Sequence, residues 1–216
     1  MSNVSVLDQR TSPPRLVYWM LRVAGYTALV AGAALMPWLD IGNAVRGQLF
    51  TEHTILEGMQ LVAMAVPTIA LVVFAAIQSS TRTLSATLAL LLVCATIREL
   101  DLFFDTYVFD GAWQLLLSAT LALGATLVWR DWQRFRNQAW ALASTAAMGL
   151  LAAGTLTTTV FSRLFGMSEF WLAVMQERYD RSVKNAVEET VELYGYTLIM
   201  IGIIEYGVWL RSRRKG

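Results

Sequence analysis

Six long apolar blocks divide this chain: Leu16 to Leu39, Ile55 to Ile77, Leu84 to Phe104, Ala112 to Trp129, Ala139 to Phe161 and Val187 to Leu210. Each is long enough to cross a hydrocarbon layer about 30 Å thick as a helix. Backbone N–H and C=O groups find no water there and must be satisfied within the segment. The blocks therefore predict an all-α polytopic membrane protein with six transmembrane helices. The polar breaks around Arg82 and from Asp131 to Asn137 are short, which predicts that spans two and three, and spans four and five, are antiparallel neighbours. At the other ends the breaks are longer: Asp40 to Thr54, Asp105 to Gly111 and Ser162 to Ala186. In the last of these, Trp171, Val174, Met175 and Arg178 recur at helical spacing after Ser168, a suitable N-cap. That spacing predicts an interfacial amphipathic helix between spans five and six, acting as a plain anchor or as a lid over a site. Residues 1–14 read as a polar tail, 15–211 as the membrane domain and 212–216 as a basic tail.

Composition agrees with the pattern. With 56% apolar and only 15% charged residues and a mean hydropathy of +0.50, the chain is more apolar than a soluble core requires. The first block has a basic lead-in, Arg10 and Arg15, as a secretion signal would. Its length and its flanking Tyr18, Trp19 and Trp38 suit a retained span instead. The one cysteine, Cys94, lies inside span three; it can form no disulfide or Cys-pair metal site within the chain and reads as a small buried hydrophobe. Pro67 should kink span two. Thr155, Thr157, Thr158 and Thr159 offer hydroxyls to neighbouring helices, and Gly25, Gly32, Gly195 and Gly202 offer close contacts within or between chains.

Charge gives the orientation. Eleven Lys and Arg against three acids lie on the side of the termini, and six against thirteen on the other, so the formal sums are +8 and −7. By the positive-inside rule both termini are cytoplasmic. The expected location is a bacterial inner membrane, with the acid-rich face turned to the periplasm.

Three groups of those acids sit on span ends, where a charge at the edge of hydrocarbon needs a partner or a task. On span two, His53, Glu57 and Gln60 stack on one face, which suits a metal ligand set or a hydrogen-bonded interfacial histidine. On span three, Arg98, Asp101 and Asp105 share a face, with Glu99 turned about 100° away. Arg98 falls inside the apolar run and needs an acid: Asp101 locally, or Glu57 or Glu192 across helices. On span six, Glu188, Glu189 and Glu192 form a tripod with Tyr196 one turn deeper. Three carboxylates so close stay ionised only with a cation or basic partners, although a helix N-terminus by itself accommodates Glu188 and Glu189. Glu205 stands apart and suits a local pair or snorkelling.

Together these residues predict an outward-facing acidic site between spans two, three and six. His53, Glu57, Asp101, Glu189 and Glu192 are its candidate cation ligands. Arg98, Asp105, Arg178 and Arg181 serve as ion-pair or headgroup residues, with Gln60, Glu99, Glu188 and Tyr196 in support. A divalent metal is the one cofactor this chemistry suggests. A single histidine excludes bis-His haem, and neither a nucleotide cofactor nor nucleic acid is expected. The partners expected are the lipid bilayer and a lipid or small-molecule substrate; no protein partner is indicated.

Ile97-Arg98-Glu99-Leu100-Asp101 with Asp105 and Gly111-Ala112-Trp113, Ser162-Arg163-Leu164-Phe165-Gly166, and Val183-Lys184-Asn185 through Glu188-Glu189, Glu192-Leu193 and Gly195-Tyr196 to Glu205 form one set. The set resembles a group of small multi-pass bacterial inner-membrane proteins of no assigned activity. The resemblance covers about the C-terminal half, with Glu57 a weaker echo, and implies an inner-membrane location and no reaction. Glu188-Glu189 is similar to the paired glutamates of CAAX-type membrane proteases, but the further histidines and arginine of that pattern are absent. The histidines of ceramidase-like hydrolases and the Asp pairs of aspartate-rich prenyltransferases are absent too; lycopene-cyclase-like enzymes remain a loose analogy. Three functions stay open: a membrane enzyme, metal-dependent or acid/base, acting on a lipid-linked or small substrate at the outer leaflet; cation or proton transport; and a structural or assembly protein whose clusters are interhelical ion pairs.

Overall fold

The computed structural model describes residues 13–44 and 55–213. The expectations for His53, for most of the first tail and for residues 214–216 fall outside the described residues. The helices are α1 (Pro13–Ala44), α2 (Ile55–Ile77), α3 (Arg82–Glu99), α4 (Asp101–Tyr107), α5 (Ala112–Arg130), α6 (Trp132–Ala143), α7 (Ala146–Leu156), α8 (Ser162–Phe165), α9 (Ser168–Met175) and α10 (Arg181–Arg213). A π-helical turn, Thr157–Phe161, joins α7 to α8. Six stretches are long and apolar enough to cross a membrane: most of α1, then α2, α3 with its lead-in, α5, the α7–α8 run and α10. The chain is an all-α polytopic membrane protein, as the apolar blocks predict.

The core is built on α2 and α10. Leu193, Tyr196, Ile199, Ile203, Tyr206 and Leu210 of α10 recur every three or four residues and are all buried, facing a stripe of Leu56, Gln60, Met64, Pro67 and Leu71 on α2. Lipid is as apolar as leucine, so close packing and hydrogen bonds hold such helices together. On the other side of α10, α7 comes in at backbone contact. A Cβ on Gly154 would sit 2.7 Å from the Gly195 carbonyl oxygen, and one on Gly202 would sit 3.0 Å from the Leu151 side chain. Gly195 and Gly202 thus serve contacts within the chain, whereas Gly25 and Gly32 face open space. Ser85 of α3 and Tyr206 share a buried hydrogen bond of 2.8 Å.

Several boundaries differ from the sequence expectation. Spans four and five are not antiparallel neighbours: α5 packs along α3, while α7 packs along α10. The stretch expected as a short turn holds α6, a separate helix that carries the chain sideways. Its Gln138 accepts from the Leu84 N–H at 2.9 Å and donates to the Ser80 carbonyl at 2.8 Å, so it closes the N-terminal end of α3. Span five accordingly begins at Ala146, after Thr145 caps it by accepting from the Met148 N–H. Span three breaks at Leu100 (φ −96°, ψ 19°), and Asp101 opens α4. Thr157, Thr158 and Thr159 donate to carbonyls of their own helix, not to neighbours. Ser168 is the first residue of α9 and not its cap; the helix stops at Met175, before Gln176 with its φ of +51°, which leaves Arg178 in a 3₁₀ turn. Glu205 is neither locally paired nor snorkelling: it bonds Arg22 and Tyr26 of α1.

Candidate functional site

The N-terminal turns of α10 put Glu188 and Glu192 on one face, toward α8. Arg163, at the end of the α7–α8 run, reaches both: one guanidinium nitrogen lies 2.8 Å from Glu192 and another 3.4 Å from Glu188. Lys184, one turn before Glu188, lies 3.0 Å from its other oxygen. Gly166 lets α8 approach this closely, since a Cβ there would run into the Glu188 carboxylate. Two of the three tripod carboxylates, Glu188 and Glu192, thus have basic partners. Arg163 and Lys184 are the site residues that sequence reasoning missed. Lys184 was readable from its four-residue spacing to Glu188. Arg163 lies 29 positions from Glu192 and is brought to it only by the α7–α10 contact.

The backbone of Glu189 is tied to α2. The fully buried Gln60 donates from Nε2 to the Glu189 backbone carbonyl at 3.0 Å, and its Oε1 has no hydrogen-bond partner among the described residues. Glu57 lies one turn before Gln60 and is half-buried. Glu99 is within electrostatic reach of Glu192, Arg98, Glu57 and Asp101, and Tyr196 within reach of Glu99, Glu192, Arg98 and Arg163. Electrostatic reach thus links charged groups of α2, α3, α8 and α10.

Other expected members are exposed or bonded locally. Asp101 is exposed and its Oδ1 accepts from the Leu102 N–H at the start of α4, where a carboxylate favours the helix N-terminus. Asp105 accepts from the Gly111 N–H at 2.9 Å and fixes the α4–α5 turn, in which Gly111 has a φ of +85° that favours glycine. Arg178 and Arg181 are exposed and form no ion pair among the described residues. The amphipathic α9 is tied back by a hydrogen bond from Trp171 Nε1 to the Phe165 carbonyl. Among the described residues no group of three or more His, Cys, Asp or Glu converges as a metal ligand set.

Because α5 follows α3 and α7 follows α10, a crevice opens between the two pairs. Its volume is about 370 Å³, and Leu88, Leu92, Ala95, Leu117, Leu151 and Ile199 supply much of its apolar wall. Arg98 and Tyr196 are the charged and phenolic members of the lining. Arg98 forms no ion pair among the described residues, so none of its expected acids holds it. An apolar slot beside a guanidinium is an arrangement for an amphiphile. No protein-family model, curated protein or solved structure matches this chain.

Proposed function

We propose that this protein binds an amphiphile, lipid-linked or small, with its apolar part in the α3–α5/α7–α10 crevice and its polar group at Arg98. One observation carries the reading: an apolar cavity of about 370 Å³ ends at an arginine that forms no ion pair among the described residues. A guanidinium at the edge of hydrocarbon is costly unless an anion meets it. Glu188 and Glu192 are already engaged by Arg163 and Lys184, which leaves Arg98 for an anionic oxygen of a ligand. Glu99 and Glu192 lie near the same tyrosine, so a headgroup with several negative charges is disfavoured. The +8 and −7 charge asymmetry supports a bacterial inner membrane with cytoplasmic termini, which turns Arg98 toward the outer leaflet.

The test is mass spectrometry of the lipids retained by protein purified in mild detergent, beside Ala95→Phe and Arg98→Gln. A defined amphiphile in the wild type, lost in both variants while both remain folded, is the expected result. The same retained lipids in all three proteins would overturn the reading.

A second reading, a cation held by Glu57, Gln60 and Glu189, is supported by the buried Gln60 Oε1, which has no hydrogen-bond partner among the described residues and whose burial is costly. Near-stoichiometric metal in the gently purified protein, lost in Gln60→Leu, is its expected signature. Protein that stays metal-free after divalent cations are added would end it.

A further inference from the structure

Next to the crevice lies a second cavity, of about 680 Å³, between α3 and α5 and lined toward the termini by Trp129 and Trp132. Leu91 and Cys94 line both spaces. The two cavities therefore adjoin at a single turn of α3. Together they follow α3 from Arg98 to Thr87, about 16 Å at 1.5 Å per residue. That is roughly half the hydrocarbon thickness. Of the five threonines in the wall, Thr87, Thr120, Thr158 and Thr159 spend their hydroxyl protons on carbonyls of their own helices. The slot is charged at one end, apolar along its length and lined by indoles at the other end.

We infer that the two cavities are one binding slot and that its ligand is an amphiphile with a single long apolar chain. The chain runs from a headgroup at Arg98, past Cys94, to Trp129 and Trp132. This rests on the amphiphile reading above and adds the chain. A passage confined to that turn, the neck of the proposed slot, suits one chain and not two side by side. It does not suit a protein helix: a helix 10 Å across and 16 Å long displaces roughly 1,200 Å³, more than either cavity holds. Cys94, which the sequence assigns to simple packing, becomes a wall residue of the neck.

The experiment is the chain-length distribution of the retained amphiphile in wild type, Ala95→Phe, Ala125→Phe and Gly124→Leu. Ala125 and Gly124 line the second cavity, far from Arg98, and a Cβ at Gly124 meets only Leu90, at an ordinary 3.7 Å. Either plug should lower retention of the longest-chain species about tenfold and shift the distribution to shorter chains with the same headgroup. Ala95→Phe should remove all chain lengths. If both plugs keep the wild-type distribution while Ala95→Phe still removes the ligand, the cavities are separate: the single-slot inference falls and the amphiphile reading stands. If Ala95→Phe also retains the ligand, that reading falls with it. A dimer in native mass spectra that the plugs dissociate would also overturn the inference, by showing a second copy in the cavity.

Discussion

Helix α10 carries an ionic contact at each end, and the two are built differently. Near the termini Glu205 meets Arg22 and Tyr26, one acid against one base, with side-chain exposures of 14% and 25% for the ion pair. At the opposite end Glu188 and Glu192 meet Arg163 and Lys184, the side chain of Arg163 is 47% exposed, and further carboxylates stand nearby. The first contact joins α10 to a helix with little other hold on the bundle, because no residue in the most apolar window of α1 is buried. The second joins α10 to the α7–α8 run, which backbone contact at Gly154 and Gly195 already secures. The same chemistry is a fastening where packing is thin. Where packing is sufficient it serves another end: it neutralises Glu188 and Glu192 and leaves Arg98 uncommitted.

The largest effect should come from cutting the fastening. Glu205→Ala leaves Arg22 without its acid and should cost about 3 kcal/mol, the low end for breaking a buried pair, because Arg22 keeps a quarter of its exposure. Thermal unfolding in nanodiscs reads the loss, and faster amide exchange confined to α1 would locate it. Arg22→Leu combined with Glu205→Leu should recover most of the stability, and the double-mutant cycle gives the coupling. Gln138→Ala should follow at about 2 kcal/mol, since it strands the Leu84 N–H and Ser80 carbonyl at the same end of the bundle. Arg163→Ala should cost only about 1 kcal/mol, because about half of its side chain is exposed and Lys184 still holds Glu188. Equal losses from Glu205→Ala and Arg163→Ala would erase the distinction between the two ends.

Much of this was legible in the sequence, for identifiable reasons. Six apolar blocks and the two charge sums follow from solvation alone, and the shared face of Glu188 and Glu192 follows from helical periodicity. What stayed hidden depends on which helices touch. Nothing in the local pattern tells Arg163 that its carboxylate is Glu192, or Glu205 that its base is Arg22. The Asp131–Asn137 break reads as a turn because its charged residues mask the amphipathic α6, and with that helix unseen, α5 and α7 are taken for neighbours. The crevice is the space their separation creates, so it was invisible for the same reason. Leu100 looks like one more apolar residue of span three, and only the break there separates Arg98 and Glu99 from Asp101.

The smallest expected effect on stability, from Arg98→Ala, decides most. Arg98 sits inside an apolar run, and the sequence alone would assign it a buried acid whose loss of a partner costs roughly 3 to 5 kcal/mol. The geometry gives it no ion pair among the described residues and leaves it exposed at the crevice. Truncation should therefore change stability by less than about 0.5 kcal/mol in ligand-free protein, the range for an exposed side chain that holds no ion pair. A ligand bound at Arg98 adds stability by mass action, about 2.7 kcal/mol at one hundred times its dissociation constant, and the variant should lose that increment. Wild type and Arg98→Ala should thus unfold together after delipidation and apart when native lipids are restored. Unfolding curves that differ by 3 kcal/mol or more without lipid would place Arg98 in a structural network, and both ends of α10 would then be fastenings of one kind.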